Sequence, residues 1–218
     1  MVRRVKRAGR AKPAPYGLAP GRMEQVLREA DAFFNGRSGV HRTAEKISRT
    51  LEGLGIDYAI AGALAVNAHG EPRMTADVGV LVTPEGLARF KDACLGRGYV
   101  EKFPGSRRVR DTENEVSVDF LLTGSYPGDG KPKPIPFPDP SKAGIETEEY
   151  RVLSLPTLIE LKIASGMTAT HRYLDLGDVI ALIRAKRLPK SFGAKLHSFV
   201  REKYRELWRH AQAPKEPQ

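Results

Sequence analysis

Asp77 opens the run Asp-Val-Gly-Val-Leu-Val, and Asp119 lies inside Val-Ser-Val-Asp-Phe-Leu-Leu at 116–122. Both runs have the apolar, β-branched make-up of buried strands, so each brings one carboxylate into a sheet. A charge there is costly unless it is paired, hydrogen-bonded or bound to a metal. If the two strands are neighbours, the carboxylates converge and suit Mg²⁺, a hard cation that takes oxygen ligands. Strand side chains alternate with period two, so an acid at position 79 would share the face of Asp77. Gly79 stands there instead. Glu71 and Glu85 are the other acids nearby in sequence. The plainer reading of Asp119 is an ion pair with Arg73 or Arg108, and that of Asp77 is a loop cap.

The second chemical feature precedes these acids. Tyr58–Val82 reads as strand, glycine turn, helix, loop, strand. Gly62 falls where the first strand becomes a helix, and helix N-terminal amides beside a small residue can cradle a phosphate. Tight packing explains a glycine there equally well. His69 precedes Gly70 at the expected helix end, where an imidazolium suits the dipole. Arg73 has Asp77 and Asp119 as ion-pair partners in the absence of metal.

These residues need elements to hold them. Apolar spacing predicts helices over Met23–Phe34 and His41–Leu54, the latter stopped by Gly55. A short strand is expected at Asp57–Ala61, a helix at Ala63–His69 and a strand at Asp77–Val82. Thr83 is placed to cap the next helix, with Pro84 at its first position, running to about Leu95. Cys94, the only cysteine, falls on its apolar face. Tyr99–Phe103, Arg107–Asp111 and Val116–Leu122 read as strands, with a hairpin turn at Thr112–Glu115. Gly124–Pro140 holds six prolines, which predicts an extended surface loop. Arg151–Leu153 is a last strand, followed by helices at Pro156–Ser165, Tyr173–Lys186 and Phe192–Arg209. The fold class is α/β (α+β), a mixed sheet flanked by helices with a C-terminal helical bundle. The expected division is a disordered tail at 1–20, an α/β domain at 21–155 and a helical subdomain at 156–218.

Charge is concentrated at the ends. Residues 1–12 carry +6 and residues 184–218 carry +7, while 13–183 carries −3. A basic tail holds a polyanion such as RNA by counterion release, whatever its sequence; a solubilising arm is the plainer reading. No apolar run approaches the roughly 20 residues of a membrane span, and no apolar segment follows the basic start as in a secretory signal. A soluble cytoplasmic protein without a membrane partner is the expectation. His171, His197 and His210 have no metal-ligand spacing with Cys94 or with each other. Trp208 is expected to anchor the last helix by packing.

Several of these motifs share one order. Gly62-Ala63 before a helix; Asn67, His69, Gly70, Arg73, Thr75 and Asp77 in the run Asn-x-His-Gly-x-x-Arg-x-Thr-x-Asp; Asp119 in a strand after a hairpin; Lys162 in LSLPTLIELKIAS; and Arg172, Asp175 and Asp178 in HRYLDLGDVIALI. Together they resemble the nucleotidyltransferase superfamily with the polymerase-beta-like fold. The similarity spans about residues 50–185 and is greatest to the branch holding AbiEii-like toxins of type IV toxin–antitoxin systems.

The resemblance implies Mg²⁺-dependent transfer of a nucleotidyl group from a nucleoside triphosphate to an RNA (tRNA among them) or protein acceptor. Two ions ~3.5–4 Å apart would clamp the attacking and leaving oxygens. Gly62, Ala63, Arg73 and Thr75 would bind the nucleotide. Asp77 and the acid two residues on would carry both ions. Asp119 would bind the catalytic ion and help deprotonate the acceptor hydroxyl. Lys162 would contact a phosphate, although a solvated helix face is its plainer reading, and Asp175 would orient that lysine or the nucleotide. A cognate antitoxin would be a protein partner. Gly79 departs from the pattern and removes the bridging ligand. The alternative is therefore a catalytically lapsed member that keeps the fold as a nucleotide- or RNA-binding module. A third reading is a partner-binding protein that works through its basic C-terminal helix.

Overall fold

A computed structural model describes residues 22–213. The expected disordered tail at 1–20 lies outside the described residues. Two helices come first, α1 (Arg22–Phe34) and α2 (Gly39–Gly53). Ser38 caps α2 through its side chain, which accepts from the His41 amide. The buried stripe of α2 is Val40, Thr43, Ala44, Ile47, Ser48 and Leu51, the helical spacing that the sequence predicts.

The strands and intervening helices follow: β1 (Tyr58–Ala61), α3 (Gly62–Ala68), β2 (Asp77–Val82), α4 (Pro84–Cys94), β3 (Tyr99–Glu101), β4 (Arg108–Asp111) and β5 (Ser117–Leu122). Then come α5 (Pro140–Ala143), β6 (Gly144–Ile145) and β7 (Val152–Leu153). They form a seven-stranded sheet in the order β3-β4-β5-β2-β1-β7-β6. The sheet is mixed: β1–β2 is antiparallel, β2–β5 parallel, β4–β5 antiparallel and β1–β7 parallel. This is the expected mixed sheet flanked by helices. Thr83 caps α4 by accepting from the Gly86 amide, and Pro84 stands at the start of that helix.

Burial alternates where it matters. Val78, Val80, Val118 and Phe120 are buried, while Asp77, Gly79, Ser117 and Asp119 are partly open. One face of β2 and β5 thus packs on the core, and the other is partly open from Asp77 to Gly79 and at Ser117 and Asp119, before closing over Leu81. At the far end of the sheet, Asp111 anchors the β4–β5 hairpin to α2. Its fully buried carboxylate accepts from Thr43 Oγ1 at 2.9 Å, Lys46 Nζ at 2.6 Å and Asn114 Nδ2 at 2.7 Å. Burial alone would raise its pKa, but these donors hold it below the usual range.

The C-terminal part is helical: α6 (Leu155–Thr168), α7 (Tyr173–Ala185) and α8 (Ser198–Gln212). Their contacts include Leu158, Ile159, Ile163, Val179, Leu182, Ile183, Val200, Tyr204 and Leu207, all in the same apolar core as the sheet. The predicted helix at Phe192–Arg209 is broken. Lys190–Lys195 is a 3₁₀ turn, and α8 begins only at Ser198, where the His197 side chain accepts from the Phe199 amide. Apolar spacing continues across that break, which is why the two pieces read as one. Trp208 packs against the core and donates Nε1–H to the Leu188 carbonyl at 2.9 Å.

The proline-rich segment is less free than expected. Ile135 is buried, and Phe137 packs on the core and pairs with Ser125 and Gly124 through its backbone. The segment also meets α6 closely at Gly128. Gly128 has φ +74°, and a Cβ there would lie 2.4 Å from Thr168 Oγ1 and 2.8 Å from the Ser165 carbonyl. Composition shows that six prolines exclude a helix, but it does not show what the extended chain lies against. Gly128→Ala is expected to cost about 1–3 kcal/mol through left-handed strain and crowding. Urea unfolding of the two proteins checks this.

Candidate functional site

Parallel pairing of β2 and β5 sets Asp77 against Ser117 and Gly79 against Asp119. Ala61 lies across Gly79 on the other side, and Arg108 lies across Asp119. One row across the sheet therefore reads Ala61, Gly79, Asp119, Arg108. Gly62 follows Ala61 directly, starting α3 at φ +68° with nothing within 4 Å of where a Cβ would stand. No side chain caps α3. The turn and both carboxylates face one cleft of about 270 Å³. Gly62, Ala63, Arg73, Thr75, Asp77, Asp119, Lys162 and Asp175 all line it, as do Gly79, His171 and Arg172. Neither Glu71 nor Glu85 lines it.

Two charge clusters furnish this cleft. In the first, Arg108 forks onto Asp119, Nε to Oδ1 and Nη2 to Oδ2. Its Nη2 also lies 4.0 Å from Asp77 Oδ2. The Asp119 hydrogen bonds come first in pushing the Arg108 pKa up. Asp77 itself is half-exposed, and its Oδ1 accepts from Thr75 Oγ1 at 2.6 Å. Arg108 is thus the ion-pair partner that the plainer reading of Asp119 named beside Arg73.

The second cluster joins α6 and α7. Lys162 is buried and donates to Asp175 Oδ1 at 3.0 Å and Asp178 Oδ2 at 2.6 Å. The solvated helix face read for Lys162 is therefore not what the structure shows. The reason is tertiary: Asp175 and Asp178 share the facing side of α7, one turn apart. Asp175 also accepts from Ser165 Oγ at 2.7 Å and Arg172 Nε at 2.8 Å. Burial works to raise the Asp175 pKa, but Lys162, Ser165 and Arg172 together hold it down. Arg73 pairs with Asp178 rather than with Asp77 or Asp119. Asn67 brings it there by bonding both the Arg73 amide and its carbonyl.

His69 is also corrected. It ends α3, but its ring is buried, with Nε2 2.8 Å from the Leu153 carbonyl. Burial lowers its pKa, so the neutral ring donates Nε2–H to that carbonyl. The role is to tie α3 to β7, without an imidazolium at the helix end. Cys94 is buried at the end of α4, and burial pushes its thiol pKa up.

The donor set was tested against the metal pair that the resemblance implies. Among the described residues no group of three or more His, Cys, Asp or Glu could hold a metal ion. Asp77 and Asp119 are the carboxylates on the open face of β2 and β5, and both oxygens of Asp119 already accept from Arg108. Two Mg²⁺ ions do not fit this arrangement. A carboxylate at position 79 would be accommodated: a Cβ there meets Ala61 at 3.5 Å, ordinary contact. Position 79 therefore has room for a Cβ but carries no side chain.

Sequence reasoning gave Arg108 only as one of two partners for Asp119, and it assigned no site role to Arg172, Asp178 or Ser165. Arg172 and Asp178 carry a signal, spaced three residues either side of Asp175. Ser165, seven before Arg172, carries none. The cleft also adjoins a second chamber of about 310 Å³ with Phe120, Tyr126 and Phe137 among its walls, sharing Gly62 and Lys162 with the first.

The sequence matches no family model and no curated protein. The structure is similar to that of ANT(2'')-Ia in complex with adenylyl-2''-tobramycin, at 11% identity and TM-score 0.45, over 78% of this chain and 99% of that one. It is similar to a candidate nucleotidyltransferase from Thermotoga maritima at 19% identity and TM-score 0.39, over 76% and 90%. One from H. pylori is similar at 16% identity and TM-score 0.42, over 77% and 91%.

Removing one member of a buried ion cluster leaves its partners uncompensated. Lys162→Met should destabilise the protein by about 3–5 kcal/mol at neutral pH. The deficit should shrink as the pH falls, because burial without Lys162 favours the protonated form of the stranded Asp175 carboxyl. In the wild type, the lowered Asp175 pKa gives stability that is present at neutral pH and lost as the pH falls through its folded-state value. Thermal melts from pH 7 to pH 3 check both signs.

Proposed function

We propose that the chain is a nucleotidyltransferase-like protein that binds a nucleoside triphosphate in the Gly62 cleft, and that nucleotidyl transfer to an RNA, tRNA or protein acceptor is weak or lapsed. The carrying observation is the convergence of the Gly62 turn, Asp77, Asp119 and Lys162 in one cleft. Phosphate would lie over the Gly62 turn, where the left-handed glycine leaves the backbone bare. Arg73 and Arg172 are partly exposed and use only some of their N–H groups on Asp178 and Asp175. Each has donors left for phosphate oxygens, because a guanidinium carries five. Lys162 holds the α7 carboxylates in place and lends its charge from beneath. Tyr126 and Phe137, which line the adjoining chamber, suit a planar ring.

The weak half of the reading rests on Gly79 and Arg108. With Gly79 opposite Asp119 and Arg108 on both Asp119 oxygens, the phosphate charge lacks the paired cations that transfer needs. No catalytic step is assigned through such ions. The acceptor is addressed by charge alone. Arg201, Arg205 and Arg209 are exposed at four-residue spacing on α8, which supports a polyanion such as RNA. A working transferase is the second reading, favoured by the open orientation of Asp77 and its Thr75 hydrogen bond.

Equilibrium dialysis with each of the four labelled nucleoside triphosphates tests the binding half. Retention by the wild type, and a loss of about tenfold or more in Gly62→Val, is the expected result; that loss corresponds to about 1.4 kcal/mol. No retention of any triphosphate sinks the reading. Incubation with Mg²⁺, labelled triphosphate and RNA separates the two readings of transfer. Little or no label from the wild type and a gain in Gly79→Asp is expected. Strong wild-type labelling that vanishes in Asp77→Ala would instead establish a working transferase.

A further inference from the structure

The Asp77–Asp119 pair already has a cation, and it belongs to the chain. β4 delivers Arg108 directly opposite Asp119, and the fork uses both carboxylate oxygens. The same Nη2 that bonds Asp119 Oδ2 also lies 4.0 Å from Asp77 Oδ2. Gly79, directly across from Asp119 and two residues after Asp77, contributes no side chain to either. A planar guanidinium satisfies a carboxylate through two parallel hydrogen bonds, a geometry that neither lysine nor a hydrated ion reproduces. Two carboxylates near one guanidinium are a net −1, whereas three carboxylates would leave a surplus that calls for a divalent ion. The absence of an acid at 79 and the presence of the fork are thus matched in charge.

We propose that Arg108 is the resident counter-ion of the Asp77–Asp119 pair and holds that position against divalent cations. A consequence is that the cleft binds its phosphate ligand without Mg²⁺. Arg108 keeps Asp119 neutralised, so a phosphate approaching the Gly62 turn meets one uncompensated negative charge on the pair and not two. Divalent cations then compete with an attached side chain, whose local concentration is high and independent of the solution. This rests on the cleft assignment above only for its phosphate consequence; the competition itself needs no nucleotide.

The test is Mn²⁺ binding to the full chain, read from the free-ion signal in electron paramagnetic resonance with no nucleotide present. Arg108→Gln removes the charge and the fork, and Arg108→Lys keeps the charge but loses the fork. Mn²⁺ affinity is expected to rise by about tenfold in Arg108→Gln, about 1.4 kcal/mol, with Arg108→Lys between it and the wild type. The gain should disappear when Asp77→Asn is added. Equal Mn²⁺ affinity in the wild type and both variants overturns the proposal, as does a gain that survives Asp77→Asn. If circular dichroism shows that Arg108→Gln does not fold, Arg108→Lys decides alone: it must bind Mn²⁺ more tightly than the wild type. Dialysis of labelled triphosphate in EDTA reads the consequence. Failure to retain nucleotide together with a Mn²⁺ gain in Arg108→Gln removes the functional reading and leaves the counter-ion role standing. Nucleotide retained only with Mg²⁺ removes the metal-independence.

Discussion

Everything in the cleft depends on the register between β2 and β5. The two strands run parallel over six residue pairs, from Asp77↔Ser117 to Val82↔Leu122. Side-chain alternation then has only two outcomes, and a slip by one residue would turn every side chain to the opposite face. Burial of Val78, Val80, Val118 and Phe120 selects one of them. Fully burying such a side chain is worth about 1.5–3 kcal/mol, and the opposite register would forfeit that for all four while burying two carboxylates. The carboxylates are where they are because the apolar residues between them cannot be.

The second constraint is electrostatic and joins the sheet domain to the helices. Lys162, Asp175, Asp178, Arg73 and Arg172 form one connected cluster in which each buried charge has an opposite partner. Buried ion pairs seldom add net stability over apolar packing, yet breaking one is expensive. Their effect here is positional. Arg73 comes from the loop before β2, and its pairing with Asp178 on α7 brings that loop against the helical part. The mouth of the cleft is held between the two.

The cleft that results is close to balanced in charge. Each carboxylate has a basic neighbour, and Asp77 is the least satisfied, with one hydroxyl hydrogen bond and a guanidinium at 4.0 Å. A balanced cleft with unused guanidinium donors and a bare glycine turn can hold a phosphate. It is poorly suited to concentrate the positive charge that a transferring nucleotidyl group needs. In the proposed function, binding and transfer separate on this point, at position 79 and at Arg108 two strands away.

Much of this was legible along the chain. Apolar periodicity placed α2, β2, α4 and β5, and turn chemistry placed the Thr83 cap and the Thr112–Glu115 hairpin, because those signals are local. Residue types and their order picked out Gly62, Asp77 and Asp119, the resemblance added Lys162 and Asp175, and a residue count of two showed that Gly79 stands on the face of Asp77. What stayed hidden was every fact about who faces whom. Arg73 and Arg108 were equal candidates for Asp119 until β4 lay beside β5 and Asn67 turned Arg73 toward α7. Lys162 read as a solvated residue until α7 brought Asp175 and Asp178 against it. His69 read as a charged helix end until β7 offered its Leu153 carbonyl, and the break before α8 was invisible because the apolar spacing runs through it. The sequence by itself determined which chemical groups exist and which face of its own element each one takes. Only the tertiary structure decided their partners, since a side chain's charge is set locally but its compensation comes from residues tens to about a hundred positions away.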